Sequence, residues 1–373
     1  MKKFIYFLDI GITEKDYDFF LDKIKLISND ISVKDIINTY YYKLGEDNTG
    51  RINKSFFLEA MTFIDYLNSE LEIELKDIQW VYKENFLLLN KDFYVFNEKF
   101  FQKIDIKNTY FVNIRYPWFS HIFRIFNQLG GNTLGINHRW DWNYNDKIFC
   151  ISKLYKGNLK EYVGDIIIPF INTFSKENIN ILYNFIYDNF GTKKIVLKKS
   201  FGEMGNGVKA IDLNITNNEK FYDALKNKYC NIYNQLDAFY IVPFYEIITE
   251  NRIYYLYNKE TDILEIHSVK QKNTNFEGVF ELDSFELYKG IEVYWSYINK
   301  NEIISNKILL NYIKKIVKLI GYETGVLELG ILSKKDFRFF EVNPYGGTLM
   351  FKEDQDDMYN FYYNMYKNKF LNY

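Results

Sequence analysis

Residues 198–208 read KKSFGEMGNGV, and they connect a strand-like run, IVLKK, to a second alternating run that starts at Val208. Three glycines fall within this stretch, namely Gly202, Gly205 and Gly207. Glycine accepts positive φ and exposes backbone N–H groups, which a loop around phosphate oxygens requires. A Walker-type phosphate loop would continue into a helix, whereas this one continues into a strand pattern. The stretch therefore predicts a glycine-rich flap between two antiparallel strands, with a ligand-free hairpin as the alternative.

The composition predicts an ordered globular chain whose core is large enough for two or three subdomains. Hydrophobic residues make up 47% of the 373 residues, and there are only 4 prolines. The 47 Lys and Arg residues nearly balance the 49 Asp and Glu residues, so no basic excess indicates a nucleic-acid partner. Aromatic residues reach 20% of the chain, and we expect them mainly in the core and on half-buried faces.

Cysteine usage and hydropathy bear on the compartment. Cys150 and Cys230 lie far apart in the sequence and make no disulfide framework, which suits a reducing cytoplasm. Asp9 interrupts the N-terminal apolar run after five residues, which is too short for a signal peptide. No stretch approaches the roughly 20 apolar residues of a membrane span. We therefore expect a cytoplasmic protein with no membrane partner.

Periodicity predicts an α/β or α+β chain. A strand is expected over 4–9, and a strand, helix and strand over 109–137 predict a small parallel sheet. Further predicted elements are helices near 16–27, 33–44 and 56–71, a helix that begins at Lys147, a strand over 165–174, a helix capped by Ser175, and an amphipathic helix over 303–320. The order of elements suggests four regions: an N-terminal α/β lobe (1–108), a linking region (109–190), a lid with the flap (191–245) and a C-terminal region (246–373).

The C-terminal part contains two strands that carry acidic residues. The runs GVLEL and FRFFEVNP are joined by a short turn, so that Glu328 and Glu341 can face the same side of a hairpin. Asn343 is two residues beyond Glu341 and shares its face. Two carboxylates and an amide oxygen are suitable ligands for one or two Mg²⁺ ions that bridge nucleotide phosphates. A solvated hairpin without a metal is the alternative.

Two other runs have a functional interpretation. Residues 239–245, FYIVPFY, form an apolar strand that could offer peptide groups to an adenine edge, although an ordinary edge strand is the alternative. The alternating run 264–270 predicts a strand with Lys270 at its end. The three histidines, His121, His138 and His267, form no catalytic or metal-binding spacing.

Taken in order, these motifs resemble the ATP-grasp superfamily over about residues 109–355. The run EVN at 341–343 is similar to that of D-alanine–D-alanine ligases, and Glu250-x-Arg252 resembles the D-x-R of ribosomal-protein glutamate ligases and graspetide ligases. The sequence departs from the family's pattern at Glu328, where Asp is commoner, and at Pro243, where many members have an acidic residue. The resemblance implies an ATP-grasp fold with an N-terminal α/β lobe, a small central lid subdomain and a C-terminal antiparallel-sheet subdomain.

The resemblance also implies roles for individual residues. Lys147 and Lys198 would contact nucleotide phosphates, and Arg252 and Lys270 would be the catalytic residues that steady the γ-phosphate and an acyl phosphate. The other implied roles are the flap for Gly202, Gly205 and Gly207, the adenine contact for the backbone from Val242 to Phe244, the ribose for Glu250, and Mg²⁺ for Glu328, Glu341 and Asn343.

The activity implied is that of an ATP-dependent carboxylate–amine ligase. Its cofactors would be ATP and Mg²⁺, and its partners a small-molecule or peptide carboxylate and an amine. The resemblance allows a homodimer. Two alternatives remain open at this point, a phosphotransferase of the same fold and a non-catalytic nucleotide-binding protein.

Overall fold

The computed structural model of the chain describes residues 3–8, 13–27, 31–40, 54–82, 86–89, 91–96, 99–113, 125–135, 147–168, 175–200, 208–214, 216–229, 239–274, 293–343 and 355–370. The chain forms two compact units, one of Met1–Asp141 with Tyr345–Tyr373 and the other of Trp142–Pro344. None of the helices in the described ranges is long and apolar enough to cross a membrane. The division into four regions remains a prediction.

The first unit contains a parallel sheet and a small antiparallel sheet. The parallel sheet has β1 (Lys3–Phe7), β2 (Ile78–Val81), β6 (Thr109–Asn113) and β7 (Asn132–Gly135), in the order β2-β1-β6-β7. The antiparallel sheet has β3 (Phe86–Leu89), β4 (Asp92–Phe96) and β5 (Phe101–Ile104). The helices are α1 (Glu14–Ile27), α2 (Val33–Tyr40), α3 (Lys54–Leu71) and the last helix of the chain, Gln355–Phe370, which is α10 in chain order. The predicted parallel pairing of the strands within 109–137 is confirmed.

Aromatic rings hold the first unit together. Phe126 lies 4.0 Å from Phe111 and 4.7 Å from Phe93 between ring centroids. Helix α10 packs on α3, with 5.1 Å between the rings of Phe63 and Tyr366. The structure groups this C-terminal helix with the first unit. The apolar residues of α10 fit those of α3. This packing joins distant parts of the chain, so no local sequence pattern could predict it.

The second unit contains two antiparallel sheets. The smaller has β8 (Lys194–Lys199), β9 (Lys209–Asp212) and β10 (Phe239–Pro243), in the order β10-β8-β9. The larger has β11 (Thr249–Asn258), β12 (Ile263–Thr274), β13 (Val293–Tyr297), β14 (Thr324–Ile331) and β15 (Phe337–Asn343), in the order β13-β12-β11-β14-β15. The helices are α4 (Lys147–Lys156), α5 (Lys160–Val163), α6 (Ile179–Phe190), α7 (Asn218–Tyr229), α8 (Asn301–Ser305) and α9 (Lys307–Ile320).

Three local predictions need correction. The strand expected over 165–174 is only an isolated bridge at Ile167 within its described part. Helix α6 begins one turn later than expected, after Asn178, because the Ser175 N–H donates to the Asn178 side chain and closes a turn before the helix. The helix expected over 303–320 is interrupted at Asn306, whose side chain accepts a hydrogen bond from the Leu309 N–H and so starts α9 afresh.

Candidate active site

One face of the five-stranded sheet carries a row of charged side chains across four neighbouring strands. The cross-strand register pairs Lys270 with Arg252, Arg252 with Glu328, and Glu328 with Glu341. Directly opposite residues in adjacent strands project to the same face. Two cations therefore lie beside two carboxylates. Lys270 is inside β12 and not at a strand end as predicted, because β12 continues to Thr274.

Arg252 and Glu328 form the centre of this row. The Arg252 Nε lies 2.5 Å from the Glu328 Oε1. Glu328 is only 6% exposed, and a carboxylate so buried needs a charged or hydrogen-bonding partner. Burial raises the pKa of Glu328 to about 7; the charge of Glu341 adds to this rise and that of Arg252 opposes it. The pairing with Arg252 thus does not fully offset the loss of solvent at Glu328.

Glu341 has the opposite electrostatic character. Lys147, at the start of α4, places its Nζ 3.1 Å from the Glu341 Oε2. The Asn343 Nδ2 donates to the Glu341 Oε1 over 2.8 Å. Although burial favours the neutral acid, the charge of Lys147 and the hydrogen bonds from Lys147 and Asn343 lower the pKa of Glu341. One carboxylate of the pair is therefore held ionised, while its neighbour resists ionisation, as expected for adjacent like charges that share a site.

This donor set fits a divalent cation. A cation between Glu328 and Glu341 would relieve their mutual repulsion, and carboxylate and amide oxygens are the ligands that Mg²⁺ prefers. Asn343 donates through its Nδ2, which leaves its carbonyl oxygen as the ligand atom. Across the described ranges, no group of three His, Cys, Asp or Glu side chains could hold a metal ion. The candidate set has two carboxylates and one amide instead.

A β-bulge brings an aromatic ring to the same face. The register shifts between Glu328 and Leu329, so that Phe340 is the extra residue of β15. Gly330 makes room for this ring, because a Cβ there would lie 2.6 Å from the Phe340 Cζ. The Lys198 Nζ, from β8, lies 4.5 Å from the centroid of the Phe340 ring. The bulge thus places the Phe340 ring, next to Glu341 in the strand, in contact with Lys198.

Lys198 itself lies in a desolvated, mixed-charge environment. Burial lowers the pKa of Lys198, while the charges of Glu341 and Glu250 oppose that shift and those of Lys147 and Lys272 add to it. Lys198 is thus influenced by two other lysines and by two glutamates. One of these, Glu250, also acts on Glu328, so that three lysines and three glutamates are linked electrostatically on this face. Phosphate oxygens would supply the additional negative charge that such a set of cations can accept.

A second row, two residues along the strands, contains residues that the sequence did not single out as site residues. The Lys272 Nζ lies 3.0 Å from each carboxylate oxygen of Glu250. Trp295 of β13 pairs with Lys272 across the strands, and its ring lies 4.1 Å from the guanidinium carbon of Arg252. The sequence could have predicted Lys272 as a site residue, since it lies two residues after Lys270 and so on the same face of the strand. It could not have predicted Trp295, because the position of Trp295 depends on which strand β13 joins.

Aromatic rings also surround Lys270. Its Nζ lies 4.6 Å from the Tyr297 ring and 5.6 Å from the Tyr254 ring. Lys270 is 2% exposed, so its ammonium group is kept at a defined position by ring faces as well as by the sheet.

Backbone direction matters for the predicted adenine contact. Ile241 exchanges both its backbone hydrogen bonds with Ile167, and the Phe244 N–H donates to the Lys194 carbonyl. Successive residues of a strand direct their peptide groups to opposite edges. Val242 and Phe244 therefore direct theirs towards β8, whereas Pro243 directs its carbonyl to the other edge.

The remaining site predictions fall partly outside the described residues. Gly202, Gly205 and Gly207 lie in 201–207, as does the predicted flap itself. Its flanking strands, β8 and β9, are antiparallel neighbours as predicted. The second unit contains the predicted phosphate, ribose, catalytic and metal residues, namely Lys147, Lys198, Glu250, Arg252, Lys270, Glu328, Glu341 and Asn343.

Comparison with known proteins identifies the fold. By sequence, no protein-family model and no curated protein matches the chain. By structure, it is similar to D-alanyl-alanine synthetase A from Vibrio cholerae, with a TM-score of 0.56 and 11% identity over 99% of this chain and 98% of that one. It is also similar to the VanG D-Ala:D-Ser ligase from Enterococcus faecalis, with a TM-score of 0.55 and 12% identity over 98% of this chain and 100% of that one.

A third similar structure is the macrocyclase MdnC from Microcystis aeruginosa, bound with the precursor peptide MdnA. Its TM-score is 0.51, with 10% identity over 98% of this chain and 100% of that one. The similarities extend over nearly the whole chain at identities that establish the fold alone. The chain has the ATP-grasp fold that its motifs predicted.

Proposed function

We propose that this protein is an ATP-dependent ligase that joins a carboxylate to an amine, with MgATP bound between the two ATP-grasp subdomains. The observation that carries the proposal is the convergence of Lys147, Lys198 and Arg252 on the paired carboxylates Glu328 and Glu341. A structural role alone does not explain this group of charged side chains, because buried ion pairs stabilise a fold little compared with apolar packing. Triphosphate and a divalent cation together would complement both signs of charge.

The proposed reaction has two steps. An oxygen of the substrate carboxylate attacks the γ-phosphorus of ATP, the bond from that phosphorus to the bridging oxygen breaks, and ADP leaves. The amine nitrogen then attacks the acyl carbon of the acyl phosphate, phosphate leaves, and the nitrogen loses a proton. Arg252, Lys270 and Lys198 would oppose the charge that spreads over the transferring phosphoryl group.

Glu328, Glu341 and Asn343 would hold Mg²⁺, which, when bound, neutralises phosphate charge. Lys147 would then be released from Glu341 towards a phosphate. Within the predicted segment from Val242 to Phe244, the outward carbonyl of Pro243 is better placed to meet an adenine edge than the peptide groups of Val242 and the N–H of Phe244, which face β8. Glu250 would lie near the ribose, and Gly202, Gly205 and Gly207 would close over the phosphates and exclude water.

Two measurements test the proposal. Millimolar MgATP, or a non-hydrolysable analogue, is expected to raise the melting temperature, since a ligand at a hundredfold excess over its dissociation constant stabilises the fold by about 2.7 kcal/mol. An unchanged melting temperature would count against nucleotide binding.

Phosphate release from MgATP, screened over amino acids, peptides and small carboxylates with and without amines, then identifies the chemistry. A ligase needs both a carboxylate and an amine for sustained phosphate release and amide production. If one hydroxyl co-substrate suffices for ADP formation and the phosphoryl group remains on that co-substrate, the protein is a phosphotransferase instead.

A further inference from the structure

Trp295 lies on this face, and the proposed function gives it no role. It belongs to β13, an edge strand of the described five-stranded sheet, and pairs with Lys272. Its indole ring is 4.1 Å from the Arg252 guanidinium carbon and 5.7 Å from the Lys272 Nζ. Both distances are within the range of cation–π attraction, and Trp is the strongest aromatic partner for a cation.

The two contacts differ in what else holds the cation. Lys272 is already fixed by both oxygens of Glu250, at 3.0 Å each. Arg252 reaches Glu328 through its Nε, and Glu328 is also a proposed ligand of the divalent cation. Once a cation binds Glu328, the carboxylate shares its charge between that cation and the guanidinium, so it holds Arg252 less strongly. The indole contact does not depend on that carboxylate.

The contact with the indole does not itself use the N–H groups of Arg252. The ring attracts the guanidinium through its π-face at 4.1 Å, whereas the guanidinium N–H groups form the hydrogen bonds to phosphate oxygens. The indole can thus orient the guanidinium without replacing its hydrogen-bond donors. This preorganisation reduces the side-chain entropy that phosphate binding would otherwise cost.

We propose that Trp295 is a positioning residue that holds Arg252 towards the terminal phosphate of the nucleotide, an inference that rests on the proposed function. Trp295 touches Arg252 and acts through it. The γ-phosphate is the group that the Trp295–Arg252 pair recognises, so a nucleoside triphosphate gains from the pair and a nucleoside diphosphate does not.

Nucleotide binding by calorimetry tests this without any knowledge of the substrates. The probes are Mg·AMP-PNP, which has a γ-phosphate, and Mg·ADP, which lacks one. Trp295→Leu is expected to weaken Mg·AMP-PNP binding by up to roughly 10-fold, the ratio that corresponds to about 1.4 kcal/mol for ordering one side chain on binding. Its Mg·ADP affinity is expected to stay within about twofold, because Arg252 does not meet the diphosphate.

Three further variants serve as controls. Trp295→Phe keeps a ring face and is expected to retain most of the Mg·AMP-PNP affinity; if Trp295→Leu does not fold, the smaller but still γ-phosphate-selective loss in Trp295→Phe carries the test. Tyr294→Leu removes an exposed aromatic ring from the same strand and is expected to change neither affinity. In the background of Arg252→Met, Trp295→Leu is expected to have no further effect, since the two residues act as a unit.

The outcomes separate this inference from the proposed function. If the wild-type protein binds neither nucleotide, both are wrong. If the wild type prefers Mg·AMP-PNP and Trp295→Leu keeps that preference, or weakens both nucleotides equally, the positioning role of Trp295 is wrong and the proposed function stands. Full additivity of Trp295→Leu with Arg252→Met would also overturn the inference, because it would mean that Trp295 does not act through Arg252.

Discussion

The aromatic core of the first unit and the charged face of the second unit use aromatic side chains in different ways. In the first unit, rings pack on rings, as in the stack of Phe111 on Phe126 at 4.0 Å. On the charged face of the second unit, rings contact cations: Trp295 contacts Arg252 at 4.1 Å and Phe340 contacts Lys198 at 4.5 Å. The same residue types thus build a core at the first of these two places and contact charges at the second.

The difference follows from what lies across from each ring. In the first unit, the opposing helices and strands offer apolar side chains, so that burial of ring surface dominates the free energy. On the open face of the second unit, the opposing strands carry Lys and Arg, and the ring quadrupole attracts them. Changes in the first unit should therefore affect stability, whereas changes on the charged face should affect ligand binding.

The largest stability effect is expected for Phe93→Ala in the first unit. Phe93 is fully buried and contacts the rings of Phe111 and Phe126, so its loss should lower the free energy of unfolding by about 3–5 kcal/mol. Denaturant unfolding measures this. Phe101→Ala, at a site 46% exposed, is the control and should cost less than about 1 kcal/mol. If Mg·AMP-PNP affinity fell as much as stability did, the contrast between the units would be broken.

On the charged face, Glu341→Gln should lower activity and leave the stability of the fold largely unchanged. It keeps the size of the side chain but removes a charge, so Mg²⁺-dependent phosphate release should fall by about 100-fold or more while the fold is retained. Glu328→Gln should act similarly, and Asn343→Ala less, because a neutral ligand is lost. Turnover against Mg²⁺ concentration, with circular dichroism to check folding, gives the answer.

The matched control for these changes is Glu323→Gln, since Glu323 is 48% exposed and pairs with Lys259. Its activity should stay at the wild-type level. Wild-type Mg²⁺ dependence in both Glu328→Gln and Glu341→Gln would contradict the assignment of the metal ligands.

A smaller stability effect is expected where α10 meets α3. The Tyr359 hydroxyl donates to Asp65, and the Tyr363 hydroxyl donates to Glu70 over 2.9 Å. Tyr359→Phe leaves the Asp65 carboxylate without this donor and should cost about 1–2 kcal/mol. Tyr363→Phe, at an exposed pair, should cost less than about 1 kcal/mol. Thermal unfolding ranks the two, and an equal cost would mean that burial does not distinguish these contacts.

The smallest effect concerns Asp262, in the turn between β11 and β12. Hydrogen bonds from Lys318 and Tyr257 lower the pKa of Asp262 from 3.8 to about 2. Because the folded-state pKa is the lower one, the ionised carboxylate stabilises the fold above about pH 4, and this is lost as the pH falls towards 2. Asp262→Asn should therefore lower the melting temperature slightly at pH 6 and not at pH 2. The exposed Glu265→Gln is the control; an equal difference at both pH values would contradict the assignment.

Most strands and helices were predictable because their patterns are local. Helices α1 and α3 and strand β6 follow apolar periodicity, and the hairpin of β14 and β15 follows from two strand runs and a short turn. The break at Asn306 was missed because the apolar stripe continues through it, while a side-chain cap decided where the helix restarts.

The sequence by itself determined the residue types of the site and the hairpin that carries Glu328 and Glu341, since two strand runs and one short turn are local features. Their direct pairing depends on the bulge at Phe340, which shifts the register by one residue. The sequence also predicted the fold, through the order of its motifs. Only the tertiary structure decided that Arg252 lies between Lys270 and Glu328, that a bulge turns Phe340 towards Lys198, and that Trp295 supports Arg252. These contacts join strands distant in sequence, and strand order is set by packing of the whole sheet.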